Sequence, residues 1–324
     1  MPIPLFRFPL LVLDEVIKNT EPPQLFLLTL CSNRMHQVVE NLRDKSIELE
    51  LTLSGGNGTS GLSLHEEDEE SLFDLSIRAM PEGGLEGWTT DKYPGAVFRE
   101  DRDGLKCYWE DVEEGMRCLL EHMCDLFSAP VETVLLDGDS LWILDLVEEL
   151  QGPQTYYLEY ITAQLTDEQF RHLFVDLSPY SMILCGAPSE QFRIEHFHKT
   201  YLTLEISSGN WISGENLLTL DCARLEIQRK TFTVAEINRF FQYVLIYGGA
   251  PQLEEFVCEV DNDNAILILA WIWGVLVPIP GREQFEDSQE SWKFSGLFYR
   301  GDRLWTVSIV CYKNPNGYLK LKIE

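Results

Sequence analysis

The sequence has few basic residues and lacks the motifs of most enzyme families. Lysine and arginine number 25 against 53 aspartate and glutamate residues, so the formal net charge is -28. This field repels phosphate, which makes nucleic acids and anionic membranes poor partners and basic proteins better ones. No Gly-x-Ser-x-Gly elbow, Walker loop or dinucleotide fingerprint occurs. We therefore predict that the protein is not an enzyme and takes no cofactor.

Cysteine pairs and long apolar runs are also lacking. None of the eight cysteines belongs to a Cys-x-x-Cys pair, and their spacing shows no zinc framework. A chain that is neither small nor rich in cysteine favours a reducing compartment. The apolar runs at 8–13 and 265–277 are too short for a signal peptide and a membrane span, respectively, and we predict the second to be buried core. We expect a soluble protein of the cytosol or nucleus.

One pair of aspartates and one pair of histidines could suggest a metal site. Asp137 and Asp139 follow an apolar segment, but the spacing of a calcium loop is absent and Asp-Gly at a strand end is typical of a turn. His196 and His198 would face the same side of a strand, without a companion ligand at a suitable spacing. We predict no metal site.

The hydrophobic content of 45% is ample for a sizeable core, and the chain opens with three helical patterns. The first runs from about residue 10 to 19, the second follows Pro22 and Pro23, and the third begins after Ser32 as its N-cap. Alternating apolar and polar residues over 47–53 predict a strand. The Gly- and Ser-rich, acidic segment 54–71 is predicted to be a flexible loop.

Beyond residue 112 the chain alternates helical and strand-like patterns. The predicted helices are 112–127, 141–150, 170–177 and 237–245, and the predicted strands are 131–136, 156–161, 182–184, 201–206, 224–228 and 253–260. Capping boxes are expected at Thr166 with Gln169 and at Thr233 with Glu236. The strand centres lie roughly 20 to 30 residues apart, which is the period of leucine-rich-repeat-like strand–helix units.

The fold class is therefore predicted as α/β, with an N-terminal three-helix module followed by a leucine-rich-repeat-like strand–helix array. The usual leucine and asparagine consensus is absent, so a conventional open α/β sheet is the rival architecture. At the C-terminus, 292–299 and 304–310 predict an antiparallel hairpin, to which 318–323 adds a strand.

The first forty residues resemble an F-box. The resemblance begins at Phe8-Pro9, continues through the apolar segment 10–17, breaks at Glu21-Pro22 and resumes over 25–34. The Val-Ser-Lys-Arg-Trp sequence that is usual in the family is replaced by Cys-Ser-Asn-Arg-Met at 31–35.

Later segments resemble the type-2 F-box-associated domain of an expanded nematode family. The segment 108–127 looks like the region upstream of that domain. The segments 217–222 and 236–241, the Gly-Gly-Ala-Pro-Gln-Leu sequence at 248–253 and the closing hairpin at 296–307 look like the domain itself. The resemblance implies an F-box over 1–45 and a substrate-binding region over 46–324, with the F-box-associated domain at about 200–310.

The resemblance implies a substrate-recognition adaptor that binds a Skp-type adaptor, and through it a cullin, together with an unknown protein substrate. Short helices that are apolar on more than one face need such a covering partner. One alternative is that these helices simply pack on the C-terminal domain. The alternative function is a leucine-rich-repeat-like protein-interaction scaffold without a ubiquitin link. The predicted contacts with the Skp-type adaptor are Pro9, Leu10, Leu13, Val16, Ile17, Leu25, Leu28 and Cys31.

Substrate contact is predicted on exposed loops of the region beyond residue 46, including Trp211 and the hairpin at Arg300. An aromatic side chain beside Gly, Ser and Asn residues suits a contact loop, because a rigid ring offers much area at a low cost in entropy. The competing interpretation of Trp211 is an ordinary core residue between repeats.

Overall fold

The structure is a computed structural model. It describes residues 7–56, 58–66, 71–101, 104–153, 156–159, 165–195, 198–260, 262–279, 285–288, 290–300, 303–312 and 318–323. The chain divides into two compact units, unit 1 (Met1–Tyr156) and unit 2 (Tyr157–Glu324). In the described part of the chain, no helix has the length and apolar character needed to cross a membrane.

Unit 1 begins with the three predicted helices. They are α1 (Leu10–Lys18), α2 (Pro22–Leu30) and α3 (Asn33–Leu42). Two prolines occupy the first positions of α2, where a missing N–H leaves no hydrogen bond unmade. The Ser32 hydroxyl accepts a hydrogen bond from the Met35 amide and caps α3. Local signals therefore set the starts of α2 and α3.

A sheet follows in unit 1. Its strands are β1 (Leu49–Gly56), β2 (Thr59–Glu66), β3 (Phe73–Ala79), β4 (Val97–Asp101), β5 (Gly104–Trp109) and β6 (Val131–Leu136). In space they run β6-β1-β2-β3-β5-β4, with β6 parallel to β1, β5 parallel to β3 and the other neighbours antiparallel. The predicted loop over 54–71 is wrong at β2, where Ser60, Leu62 and Leu64 alternate into the core.

Two longer helices complete unit 1, α4 (Val112–Phe127) and α5 (Trp142–Gln151). The carboxylate of Asp111 caps α4 by accepting hydrogen bonds from the amides of Glu113 and Glu114. A glycine is required at Gly115 because a Cβ atom there would lie 2.6 Å from Cγ of Trp109. The first turn of α4 is thereby seated on the indole at the end of β5.

Unit 2 begins with strands β7 (Tyr157–Glu159), β8 (Ser181–Leu184), β9 (Lys199–Ile206), β10 (Leu220–Thr231) and β11 (Glu255–Glu259). They are parallel and lie side by side in chain order. The helices between them are α6 (Asp167–Arg171), α7 (Gly214–Leu217) and α8 (Val234–Phe241). Both predicted capping boxes are present, at the starts of α6 and α8, and both helices continue into a π-helical turn.

The end of unit 2 is antiparallel. It contains α9 (Asn262–Trp273), β12 (Phe285–Asp287), β13 (Ser291–Arg300), β14 (Arg303–Tyr312) and β15 (Tyr318–Ile323). Strands β12 to β15 pair in chain order, and β15 pairs with β11. The hairpin and the last strand were predicted from the sequence, and both predictions are confirmed.

The α/β class, the three N-terminal helices and the sheet that follows them are thus confirmed. Sequential parallel strands fit both a stacked strand–helix array and an open sheet, so the leucine-rich-repeat-like assignment stays a prediction. The F-box assignment and the boundary at 45/46 also stay predictions. The predicted buried run at 265–277 is wrong in part, because Ile266, Leu267, Trp273 and Val277 are each more than half exposed.

Candidate functional site

The outer face of α1 (Phe8, Leu10, Leu11, Val12 and Val16) is apolar and exposed. Leu10 is 67% and Leu11 79% exposed, and the others are about two-fifths exposed. Leu13 and Ile17 of the same helix are buried, and the charged residues Glu15 and Lys18 are exposed beside the apolar ones. Several apolar side chains left in water within one short segment indicate a site for another protein. The outer face of α1 is therefore a candidate binding surface.

The eight predicted adaptor contacts fall into three groups. Pro9, Leu10, Val16 and Cys31 are exposed, and Leu28 is partly buried. Leu13, Ile17 and Leu25 are buried in unit 1. The exposed residues can touch a partner directly, whereas the buried ones position the helix that carries them.

The three helices are held by contacts with the sheet and with α4. Phe26 is fully buried, and its ring centroid lies 5.3 Å from that of Phe73 in β3 and 5.2 Å from the imidazole of His122 in α4. Met35 and Val39 of α3 are also buried. The helices are thus part of unit 1, and they leave the outer face of α1 in solvent.

A buried polar network joins α2 and α4 to the segment before β4. At its centre, His122 Nε2 lies 2.7 Å from Thr29 Oγ1, and His122 Nδ1 lies 2.8 Å from the Tyr93 hydroxyl. The Thr29 hydroxyl donates to the carbonyl of Phe26 at 2.6 Å, so it accepts the proton of His122 Nε2. His122 Nδ1 then accepts from the Tyr93 hydroxyl. This assignment, made from the network, requires a neutral imidazole.

The network extends from His122 to α3. His36 Nδ1 lies 3.2 Å from His122 Nε2 and 3.2 Å from the Lys92 ammonium. Because the Nε2 proton of His122 is donated to Thr29, His36 Nδ1 accepts its hydrogen bond from Lys92. Burial lowers the pKa of His122 to about 3, and the positive charge of Lys92 adds to the effect. Burial, followed by the charge of Lys92, also lowers the pKa of His36. Both imidazoles are held in the neutral form that the hydrogen bonds require.

This network predicts that acid destabilises unit 1 before most carboxylates protonate. An unfolded histidine has a pKa near 6.5. At a pH between 6.5 and about 3, which is the pKa of folded His122, the unfolded chain binds a proton at this histidine that the folded chain does not bind. Stability is therefore expected to fall by about 1.4 kcal/mol per pH unit as the pH drops below 6.5. Urea unfolding at pH 7.0, 6.0 and 5.0 measures how the free energy of unfolding changes with pH. Hydrogen exchange in peptides of unit 1 reports the unfolding of that unit.

Glutamine in His122→Gln keeps a hydrogen-bonding side chain but does not titrate. The free energy of unfolding of this variant should therefore depend less on pH than that of the parent. The matched control is His172→Gln, at a histidine paired with Asp176 on the surface of unit 2, and it should leave the slope unchanged. Equal slopes in the parent and His122→Gln would refute the assigned role of His122.

Arg43 is a second buried tie between the helices and α4. It follows α3 and is 7% exposed. Its Nε donates to the carbonyl of Leu126 at 2.7 Å, and its Nη2 donates to that of Phe127 at 2.6 Å. These carbonyls belong to the last turn of α4 and have no partner within that helix. The guanidinium thus caps α4, and sequence analysis missed it because nothing local links residue 43 to residue 127.

The two predicted substrate contacts have different outcomes. Trp211 is 2% exposed and packs edge-to-face with Phe170, Phe174 and Phe192, so its indole belongs to the core of unit 2, as the competing interpretation expected. It does not form an exposed contact. The backbone of Arg300 ends β13, but its side chain and the turn at 301–302 lie outside the described residues.

Within the described residues, neither candidate pair is joined by further side chains that could complete a metal site. Asp137 accepts hydrogen bonds from the amide of Asp139 and the hydroxyl of Ser140, as in an ordinary turn. His196 lies outside the described residues, and His198 is exposed. Within the described ranges, no three His, Cys, Asp or Glu side chains are placed to hold a metal ion.

An acidic cluster lies on one face of the parallel sheet in unit 2. The guanidinium of Arg224 lies 3.2 to 3.7 Å from the carboxylates of Glu205, Glu226 and Glu255. Burial raises the pKa of Glu205, which Arg224 partly offsets. Lys320 adds a second cation 2.8 Å from Glu255. The charged groups satisfy one another and keep this sheet face polar.

Comparisons with known proteins find a family likeness in one part of unit 2. Residues 190–258, from before β9 into β11, match the F-box associated family. The chain is also similar to an uncharacterized Caenorhabditis elegans protein, with 23% identity over 246 residues. That alignment covers 73% of this chain and 57% of the relative, so the chain spans little more than half of the relative's length. No solved structure matches the chain.

Proposed function

We propose that the protein is a substrate-recognition adaptor of a Skp–cullin–F-box ubiquitin ligase, without catalytic activity of its own. Its N-terminal helices bind a Skp-type adaptor, and the region beyond residue 46 binds a protein substrate in the cytosol or nucleus. The observation that carries the proposal is the outer face of α1, which is apolar and exposed on a helix whose other side is anchored.

The match at 190–258 supports the proposal independently of α1. F-box-associated regions take their description from their association with F-boxes, and the N-terminal helices here occupy the place where an F-box would stand. The match itself does not include those helices. The proposal therefore joins a family likeness in unit 2 with a surface in unit 1.

The geometry divides the work among the predicted contact residues. Leu10 and Val16 present side chains to the partner, and the exposed Pro9 and Cys31 and the partly buried Leu28 add further contacts. Leu13, Ile17 and Leu25 keep α1 and α2 seated on unit 1. A charge introduced at an exposed position tests binding, whereas a charge at a buried position tests folding.

The double substitution Leu10→Asp with Val16→Asp is expected to abolish co-purification with a Skp-type adaptor. Each apolar side chain that is buried on binding contributes roughly 1.5–3 kcal/mol, so the loss in affinity should be on the order of hundredfold or more. Pull-down and titration calorimetry with the purified adaptor measure it.

The matched control is Leu150→Asp, at another exposed apolar residue of unit 1, which should bind the adaptor like the parent. Undiminished adaptor binding by the Leu10→Asp, Val16→Asp chain would sink the assignment of this surface.

A second candidate is an interaction scaffold without a ubiquitin link. It is favoured by the packing of the N-terminal helices on β3 and α4, which gives them a structural role that needs no partner. Adaptor binding discriminates the two functions, since the scaffold would ignore the Skp-type adaptor. A turnover that is lost on a single substitution in unit 2 would overturn the non-catalytic part of the proposal.

A further inference from the structure

A small cavity lies in unit 1 where the N-terminal helices meet the sheet. Its volume is about 120 Å³, and it opens between the end of α1, the start of α2, the residues that follow α3 and the first residue of β1. Protein interiors rarely leave voids larger than a water molecule. The apolar residues that line the cavity are Ile17, Leu25, Ile47, Leu49, Leu72 and Phe127.

The walls of the cavity are mostly buried. Ile17, Leu25 and Phe127 are each less than 6% exposed, whereas Ile47 is 44% exposed. Leu49 begins β1, and Leu51, the next residue on the same face of the strand, is fully buried. An apolar cavity of roughly 150 Å³ holds a benzene molecule, so this one admits a body of about five or six heavy atoms.

One side chain of the lining carries a buried charge. Arg43 is 7% exposed, and it donates to three carbonyl oxygens, those of Asp44, Leu126 and Phe127. These bonds use three of the five N–H groups of a guanidinium, which stays charged at any pH in proteins. Among the described residues, no carboxylate forms an ion pair with Arg43. Since buried charges are normally paired, this cation lacks its anion.

The other charged residues of the lining do not supply that anion. The carboxylate of Asp44 is exposed and accepts hydrogen bonds from the amide and the hydroxyl of Ser46. Lys18 is engaged in an exposed ion pair within α1, and Glu66 ends β2 in a half-buried position. Because water weakens the fields of exposed charges more than those of buried ones, Arg43 sets the preference of the cavity.

Charge and size together define the occupant. A carboxylate matches the planar fork of a guanidinium, with two oxygens for two N–H groups. The apolar walls require a carbon body, which phosphate and sulfate lack. The net charge of -28 opposes an anion only at long range, because physiological salt screens exposed charges beyond about 8 Å.

We propose that this cavity binds a short branched aliphatic carboxylate. Its two oxygens accept from the remaining N–H groups of Arg43, and its carbon chain lies among Ile17, Leu25 and Leu49. The proposal goes beyond the adaptor role and does not depend on it. Because the chain of the ligand contacts α1, α2 and β1, binding stabilises the packing of the helices on the sheet by mass action.

The test uses isovalerate, isovaleramide and acetate with the full-length protein. Isovaleramide has the shape of isovalerate without its charge, and acetate has the charge without the branched chain. Titration calorimetry measures binding to the parent, to the cavity-filling variant Leu49→Phe and to Arg43→Lys. The matched control is Leu150→Phe, the same substitution at an exposed residue of α5. Circular dichroism checks that each variant folds.

Isovalerate should bind the parent at least tenfold more tightly than isovaleramide or acetate. Leu49→Phe should lose at least tenfold in affinity, while Leu150→Phe stays within twofold of the parent. Arg43→Lys keeps the charge but not the fork, so its affinity should lie between those of the parent and Leu49→Phe. Isovalerate should also slow hydrogen exchange in peptides of α1 and α2 of the parent.

Equal binding of isovalerate and isovaleramide would show that the charge of Arg43 is not read and would overturn the proposal. Equal affinity of the parent and Leu49→Phe would do the same, since the ligand would then lie elsewhere. A folded parent that binds no isovalerate also refutes it. Should Leu49→Phe not fold, Ile47→Phe fills the cavity from its more exposed side and gives the same comparison.

Discussion

Replacing Phe26 with alanine is expected to lower the free energy of unfolding of unit 1 by about 3–5 kcal/mol. The side chain is fully buried between Phe73 and His122, so truncation leaves a cavity between α2, β3 and α4. Urea unfolding with hydrogen-exchange mass spectrometry measures the change and resolves peptides of unit 1 from those of unit 2. Peptides of α2 and α4 should lose protection together.

The control for Phe26→Ala is Leu11→Ala, at a residue that is 79% exposed on α1. It should change stability by less than about 0.5 kcal/mol. If Phe26→Ala left the protection of α4 untouched, the three helices would have to be an independent module. A chain that starts at residue 46 lacks Phe26 and exposes Phe73, so it is a poor fold-preserving control for adaptor binding.

Replacing Arg43 with methionine is expected to destabilise unit 1 by about 2–4 kcal/mol. The substitution removes two charge-assisted hydrogen bonds and leaves the carbonyls of Leu126 and Phe127 without their donors in a buried place. Methionine keeps much of the apolar volume, so the loss reports on the hydrogen bonds. The same urea and exchange measurement applies, and the last turn of α4 should lose protection first.

Arg43→Lys separates charge from geometry. An ammonium group cannot reproduce the planar fork of a guanidinium, so we expect a loss between those of the parent and Arg43→Met. Arg117→Met, a control on α4, removes an exposed ion pair with Glu149 of α5 and should have little effect. Equal stability of Arg43→Met and the parent would contradict the capping role.

Local signals in the sequence were sufficient for most helices. The capping boxes at Thr166 with Gln169 and at Thr233 with Glu236 involve residues three apart, so the pattern that predicts them is also the interaction that forms. The same holds for the Ser32 cap of α3. The buried alternation in β6, β9 and β10 was equally visible.

Long-range features were not visible in the sequence. Gly55, Gly56 and Gly58 indicate a loop, yet β1 and β2 pair along their full length because the alternating leucines of both strands enter one core. The network around His122 and the capping by Arg43 join residues more than 80 positions apart.

The candidate surfaces show a further limit of the sequence. Composition identified 265–277 as apolar, but only the structure separates the side of α9 that packs from the side that remains exposed. For α1 and α2 the same distinction divides the eight predicted contacts into those that can touch a partner and those that support the helices.

The order of strands in unit 2 bears on how the chain escapes aggregation. Parallel strands added one after another leave an open edge wherever the series stops, and an open edge can recruit strands of other molecules. Here β15 covers the edge of β11, and the antiparallel series then ends at β12, a strand of only three residues with Glu286 and Asp287 exposed. A short, charged last strand offers little for another chain to pair with. Among the described residues, the C-terminal strands thus protect the parallel strands of unit 2 from pairing with other chains.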